Sequence, residues 1–248
     1  GFSTDRQVVN TFTYLAQLNR GLNDWLSLRV AYAGSDMELT KIASHASPLR
    51  NVSQTGNYNL RSRAYSGSER LDKNGVFQLD LIGKDLYTGS IRHTFNLGLD
   101  YRWTDVSTIN TNSVVVDTID VLQSINNVLP QVNHVNGESV NTGDYAYGLL
   151  LQEVMTFNQY LKLSLGLRYS QMSGLSDNTV STTGGSVWDP LLGIIITPVK
   201  NLNMFVSYTT TTSLRGAGNL LEDKVTPVGA TREKQIEVGF KTEWFDNR

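Results

Sequence analysis

Cysteine is missing from all 248 residues. This excludes disulfides, thiol catalysis and cysteine-held metals, and it suits an exported protein. An excess of one charge is missing too: 21 Lys and Arg stand against 23 Asp and Glu, in no long block. No electrostatic footprint for nucleic acid or an anionic membrane surface results. No run approaches the ~20 apolar residues of a spanning helix; the nearest, Leu191 to Ile196, is broken by Pro198. Gly1 to Asn10 lacks a basic start followed by an apolar core, so any export signal is expected to be removed or to lie upstream. Gly-rich phosphate loops, nucleophile elbows and zinc motifs are absent as well.

What is present is alternation of period two. His93, Phe95, Leu97, Leu99, Tyr101 and Trp103 alternate with Thr94, Asn96, Gly98, Asp100 and Arg102. Leu161, Leu163, Leu165, Leu167 and Tyr169 do the same against Lys162, Ser164, Gly166, Arg168 and Ser170. Leu26 to Tyr32, Phe77 to Leu81 and Leu202 to Tyr208 continue the theme, and helical spacing is nowhere sustained. Each such segment is a strand with one apolar face. A chain that crosses a bilayer with these segments does so as strands.

Connections alternate between short and long. Asn19 to Asp24, Asp85 to Gly89, Phe157 to Tyr160 and Thr197 to Asn201 are rich in Asn, Gly, Asp and Pro and predict tight turns at one end. Gly34 to Asn74, Thr104 to Gly143, Gly174 to Gly185 and Ser213 to Thr231 are polar and predict long loops at the other. Short turns on one rim and long loops on the other describe an outer-membrane barrel, here with about nine strands of about 10 residues. The expected fold is all-β, an antiparallel transmembrane β-barrel. An odd, open set of strands cannot close in lipid, so residues 1–248 are expected to be part of one larger barrel domain.

Specific runs then resemble a known family. Tyr147-Gly-Leu-Leu-Leu-Gln152 through Phe157, the turn Asn158 to Tyr160, and Leu161 to Tyr169 with its Gly-Leu-Arg-Tyr ending are similar to a barrel hairpin of the TonB-dependent ferric-siderophore receptors. Trp188-Asp-Pro-Leu-Leu-Gly193, Thr197-Pro198 and Phe205-Val-Ser-Tyr208 resemble that family's next hairpin, and Glu233 to Lys241 followed by Trp244 the strand after it. Upstream, Thr88 to Tyr101 and Asp24 to Arg29 resemble earlier strands in the same order. The chain departs from the family at Leu191 and at Thr209 to Thr212, where the family places an Arg and a Phe-Pro pair. The resemblance implies a barrel of roughly 22 strands, with the plug domain, TonB box and closing strands outside these residues. It also implies a Gram-negative outer-membrane location, a ferric siderophore as ligand, and TonB, engaged through the plug, and the lipid bilayer as partners.

Chemistry-bearing residues are sparse. His45, His93 and His134 have no spacing that would gather them on one metal, and iron would arrive already chelated. Neither a metal site, a cofactor nor a catalytic residue is expected. His93 reads as an interfacial residue, and Glu153 is the one charge on the Leu149, Leu151 and Met155 face, where it costs least near the bilayer boundary. Glu222 and Asp223 read as a solvated loop. Trp25, Tyr32, Tyr101, Trp103, Tyr169 and Tyr208 lie near strand ends and read as girdle residues. A bulky anionic chelate calls for aromatic faces and guanidinium donors, which makes Tyr58, Tyr65, Trp188, Arg50, Arg61, Arg63 and Arg215 the ligand-binding candidates. The leading reading is thus a siderophore receptor and importer, not an enzyme. The rivals are an importer of cobalamin or oligosaccharide, a porin, or a soluble β-sandwich binding module.

Overall fold

The computed structural model describes residues 2–48, 59–133, 135–176, 179–181, 185–213 and 230–242. Among them every regular element is a strand: β1 (Arg6–Gly21), β2 (Leu26–Pro48), β3 (Leu60–Thr88), β4 (Ile91–Thr111), β5 (Val114–Asp120), β6 (Asn136–Thr156), β7 (Leu161–Ser176), β8 (Thr179–Ser181), β9 (Ser186–Val199), β10 (Leu202–Ser213) and β11 (Thr231–Thr242). The main order is β1-β2-β3-β4-β6-β7-β9-β10-β11, with β5 paired to β3 and β8 to β7. Neighbours in sequence are neighbours in the sheet, as up-and-down antiparallel pairing requires. The strands β1 and β11 end the order, so the sheet is not closed on itself among the described residues.

Nine strands in the main order match the sequence expectation, but their lengths do not. The strands β2, β3, β4 and β6 run for 23, 29, 21 and 21 residues, about twice the 9–11 that a bilayer needs. Most of the expected loops Gly34–Asn74 and Thr104–Gly143 is therefore strand. The reason is physical: where both faces of a strand meet polar surroundings, no apolar alternation marks it, although the backbone ladder continues.

The chain divides into two compact units. One comprises Gly1–Thr13, Ser35–Lys73 and Asp105–Thr142; the other comprises Tyr14–Gly34, Asn74–Thr104 and Gly143–Arg248. In the first unit the buried hydrophobic residues are Phe2, Ala64 and Tyr65. The Phe2 and Tyr65 rings meet edge to face at 5.7 Å, and the Arg63 guanidinium lies 3.8 Å above the Phe2 ring. Asp5 accepts hydrogen bonds from the Ser44 amide and hydroxyl, tying residues 2–5 to β2.

The second unit inverts the arrangement of a soluble sheet. Leu97, Leu99, Leu149, Leu151, Leu165, Leu167, Ile194, Ile196, Met204 and Val206 are all exposed. The opposite face buries Asp80 (2 % exposed) and Asp189 (9 %). No described hydrophobic side chain of this unit is buried, which overturns the soluble-sandwich alternative, in which these leucines would form the core. A continuous apolar exterior of this kind marks a surface that meets something other than water.

Turn chemistry follows the sequence closely. The Asn23 side chain accepts from the amides of Trp25 and Leu26 at 3.0 and 2.8 Å. Asn158 accepts in the same way from Tyr160 and Leu161 at 2.8 and 3.0 Å. Both are side-chain mimics of a backbone turn. Gly89, at φ 62°, closes the β3–β4 connection.

Along the β3–β4 pair, Phe95 covers Gly83 and Trp103 covers Gly75 so closely that a Cβ at either glycine would enter the ring. Each ring occupies the space that a side chain on the neighbouring strand would fill. Gly83→Val should therefore lower the stability of the full-length protein by about 1–3 kcal/mol. Phe95→Ala in the same background should recover part of that loss, read from the midpoint of chemical unfolding in detergent.

Candidate functional site

The sequence candidates separate once placed. Arg50, Tyr58 and Arg215 lie outside the described residues, as does His134. Arg61, Arg63 and Tyr65 are not in a loop but on β3, in register with β5. Arg63 is 2 % exposed. Its Nε donates to Asp117 Oδ1 at 2.9 Å, and Nη2 donates to Asp117 Oδ2 and to the Asn126 carbonyl. A guanidinium held this way anchors structure, because breaking a buried pair strands the remaining charge. Tyr65 shares a hydrogen bond with Thr4, and Arg61 donates to the Leu60 carbonyl at 2.9 Å.

Trp188 belongs to the second unit and lies on β9 opposite Tyr169 of β7, the rings 4.8 Å apart. Parity assigns it to the exposed apolar face with Leu192, Ile194 and Ile196. It therefore stands beside Tyr169 on the exposed apolar side of the sheet rather than on the polar side.

Two residues weighed separately in the sequence come together on that same apolar face. The Nδ1 of His93 lies 2.6 Å from Oε1 of Glu153. Each thus supplies the other with a polar partner, and this explains how a carboxylate is tolerated among Leu149, Leu151 and Met155.

The polar face of the second unit carries a series of ion pairs between strands. Arg29 donates from Nε and Nη2 to Asp80 Oδ2 at 2.9 and 2.7 Å. Arg168 grips Asp100 with both terminal nitrogens, at 2.9 and 3.0 Å, and donates from Nε to Ser170 at 3.0 Å. Asp189 accepts from the amide and hydroxyl of Thr212 at 3.1 and 2.8 Å and lies 3.8 Å from Arg232 Nε. Glycines make room for two of these pairs. A Cβ on Gly148 would strike Arg168 and Asp100, and one on Gly98 would lie 2.9 Å from Asp80 Oδ1.

The Asp100–Arg168 and Asp189–Thr212 contacts border two hollows of the second unit. One, of about 430 Å³, is lined by Asp100, Arg102, Arg168, Ser170, Thr212 and Ser213 among others. Its neighbour, of about 360 Å³, includes Gln152, Arg168, Asp189 and Thr209 to Thr212. Both are of a size that holds part of a small ligand. Of the candidates among the described residues, Arg61, Arg63, Tyr65 and Trp188, none lines either hollow. Asp100, Arg102 and Arg168, which do, were visible only as the polar half of alternating segments, because nothing in the sequence states which Asp meets which Arg.

Comparison with known proteins follows from this geometry. A family model described as TonB dependent receptor-like, beta-barrel, matches residues 1–248. A curated relative, the metal-pseudopaline receptor CntO of Pseudomonas aeruginosa (strain UCBPP-PA14), is 25% identical over 251 residues, covering 96% of this chain and 34% of the relative. Among solved structures, the ferric-catecholate import receptor Fiu of E. coli K12, in its closed form, matches with a TM-score of 0.80 at 14% identity, covering all of this chain and 40% of that one. The siderophore receptor PiuA of Acinetobacter baumannii matches with a TM-score of 0.72 at 16% identity, over 98% and 39% of the two chains. The structural matches show the fold. The chain spans about a third of the length of the curated relative.

The glycine under the Arg168–Asp100 pair offers a direct check. Gly148→Ala should push the pair apart and cost about 1–3 kcal/mol. Gly193→Ala, whose Cβ would meet Ser164 at an ordinary 3.4 Å, should leave the unfolding midpoint of the full-length protein unchanged or higher.

Proposed function

Because this chain belongs to the TonB-dependent receptor-like β-barrel family, we propose that it forms part of an outer-membrane receptor of a Gram-negative bacterium that imports ferric siderophores with energy supplied through TonB. We read residues 1–248 as part of a single barrel domain. The observation that carries the proposal is the inverted sheet of the second unit, with leucines and isoleucines exposed and Asp80 and Asp189 buried. Such a sheet is stable where its exterior meets lipid. The ligand class is supported by the relatives, which are receptors for a ferric catecholate, a siderophore and a metal–pseudopaline complex. An importer of cobalamin or an oligosaccharide, or a porin, shares the architecture and has no specific observation in its favour.

For ligand contact, the polar face around Arg168 is a stronger candidate than Arg63, which is committed to Asp117, or Trp188, which lies on the apolar face. Arg50, Tyr58 and Arg215 keep their proposed role as outer ligand donors. No chemical step is required of the protein, since the metal remains in its chelate during import.

The decisive experiment expresses the full-length protein in outer membranes under iron limitation and follows labelled ferric chelates with and without TonB. TonB-dependent uptake of one chelate is the expected result. Membrane insertion without iron uptake would favour another cargo or a porin, and a soluble periplasmic product would overturn the barrel. In the same cells Leu165→Arg should reduce the amount of folded receptor in the membrane, by a destabilisation of up to about 2–4 kcal/mol. Ser164→Arg, one residue away on the polar face, should leave it at wild-type level.

A further inference from the structure

The contact between His93 and Glu153 leaves a charge that no described residue answers. His93 Nδ1 lies 2.6 Å from Glu153 Oε1, while His93 Nε2 is buried and without a partner among the described residues. A second proton on that ring would place a charged N–H in a sealed site with no acceptor, which costs more than a bare lone pair there. The ring therefore donates one hydrogen bond from Nδ1 and brings no charge of its own. Glu153 keeps its full negative charge, and its Oε2 has no partner among the described residues. Arg92, beside His93 in sequence, is paired with Asp85 at 3.5 Å, and no described Lys or Arg lies within 4 Å of Glu153.

This carboxylate stands on the apolar exterior. Its side chain is 35 % exposed, on the face that exposes Leu149 and Leu151. Glu153 is three residues from the end of β6 at Thr156, and His93 two residues from the start of β4 at Ile91. At ~3.3 Å per residue the pair lies within about 10 Å of the short turns. Tyr87 and Tyr160, both exposed, mark the same rim, as aromatic residues do at a headgroup zone.

We propose that Glu153 holds the ammonium group of a lipid whose headgroup carries a primary amine, docked on the outside of the sheet at this rim. The proposal rests on the barrel reading above, which sets this face against a bilayer. A primary ammonium has N–H donors for Oε2, and the acyl chains attached to it lie along Leu149 and Leu151. A trimethylammonium headgroup has no N–H and keeps its charge behind methyl groups. A small dissolved cation gains nothing from the leucines. His93 is the positioning residue, since holding Oε1 leaves Oε2 free for the headgroup.

The test measures binding of phosphatidylethanolamine and phosphatidylcholine, with identical acyl chains, to the purified full-length protein by native mass spectrometry. The wild type should prefer phosphatidylethanolamine by about 5- to 10-fold, between the effect of an exposed ion pair and that of a charge-assisted hydrogen bond. Glu153→Gln removes a charge from an apolar face and should insert at least as well as the wild type, yet bind the two lipids equally. His93→Phe should lose part of the preference and His93→Asn, which keeps an N–H donor, should restore it, with phosphatidylcholine binding unchanged throughout. Equal binding of both lipids by the wild type, an undiminished preference in Glu153→Gln, equal loss of both lipids in that variant, or displacement by equimolar free ethanolamine would each overturn the site. Any of those results from a full-length protein that inserts into vesicles leaves the receptor reading standing. A full-length protein that stays in solution without detergent or lipid would overturn that reading itself.

Discussion

Turning the apolar side chains of a sheet outward forces its polar side chains to satisfy one another. In the second unit this constraint governs the rest. Asp80 is the most fully buried large side chain described, and its cost in lost hydration is offset by Arg29, which reaches it from β2 with two donors, and by the Asn96 side-chain amide at 3.5 Å. Asp100 with Arg168 and Asp189 with Thr212 and Arg232 repeat the solution on later strands. Because each pair joins different strands, the same contacts that neutralise charge also hold the register that backbone ladders alone leave open to slippage. Gly98 and Gly148 belong to this scheme, since a side chain at either position would occupy the volume of a carboxylate or a guanidinium.

How much of this was legible in the sequence depends on which physical signal each feature leaves. Strand number, the two turns built on Asn23 and Asn158, and the two-faced character of residues 93–103 and 161–170 are written in local patterns and were readable directly. The points at which alternation stopped, Gly34, Asn74, Thr104 and Gly143, were read as strand ends. They coincide instead with the boundaries between the two units. What ceases there is the apolar face, while the backbone pairing carries on to Pro48, Leu60, Thr111 and Asn136. Pairings such as His93 with Glu153 left no readable trace, because register between distant segments is a property of the assembled sheet.

Departures from the family pattern acquire a purpose in the fold. Thr209 to Thr212 stand where the family resemblance leads to the expectation of a Phe-Pro pair. In the structure they line the smaller hollow, and Thr212 gives Asp189 an amide and a hydroxyl donor. A proline at position 212 would have no amide to give to Asp189.

The strands that pass from one unit into the other obey two separate rules of mutational tolerance. In β3, a substitution at Leu79 or Leu81 is judged by parity, since the side chain must suit either an apolar exterior or a paired polar face. A substitution at Arg63 or Tyr65, on the same strand, is judged by the specific partners Asp117, Asn126 and Thr4. Sequence variation within one continuous strand is therefore filtered by compatibility with an apolar exterior in one stretch and by individual hydrogen bonds in the other. The two stretches can therefore diverge independently, one constrained by the side of the sheet a residue faces and the other by its individual partners.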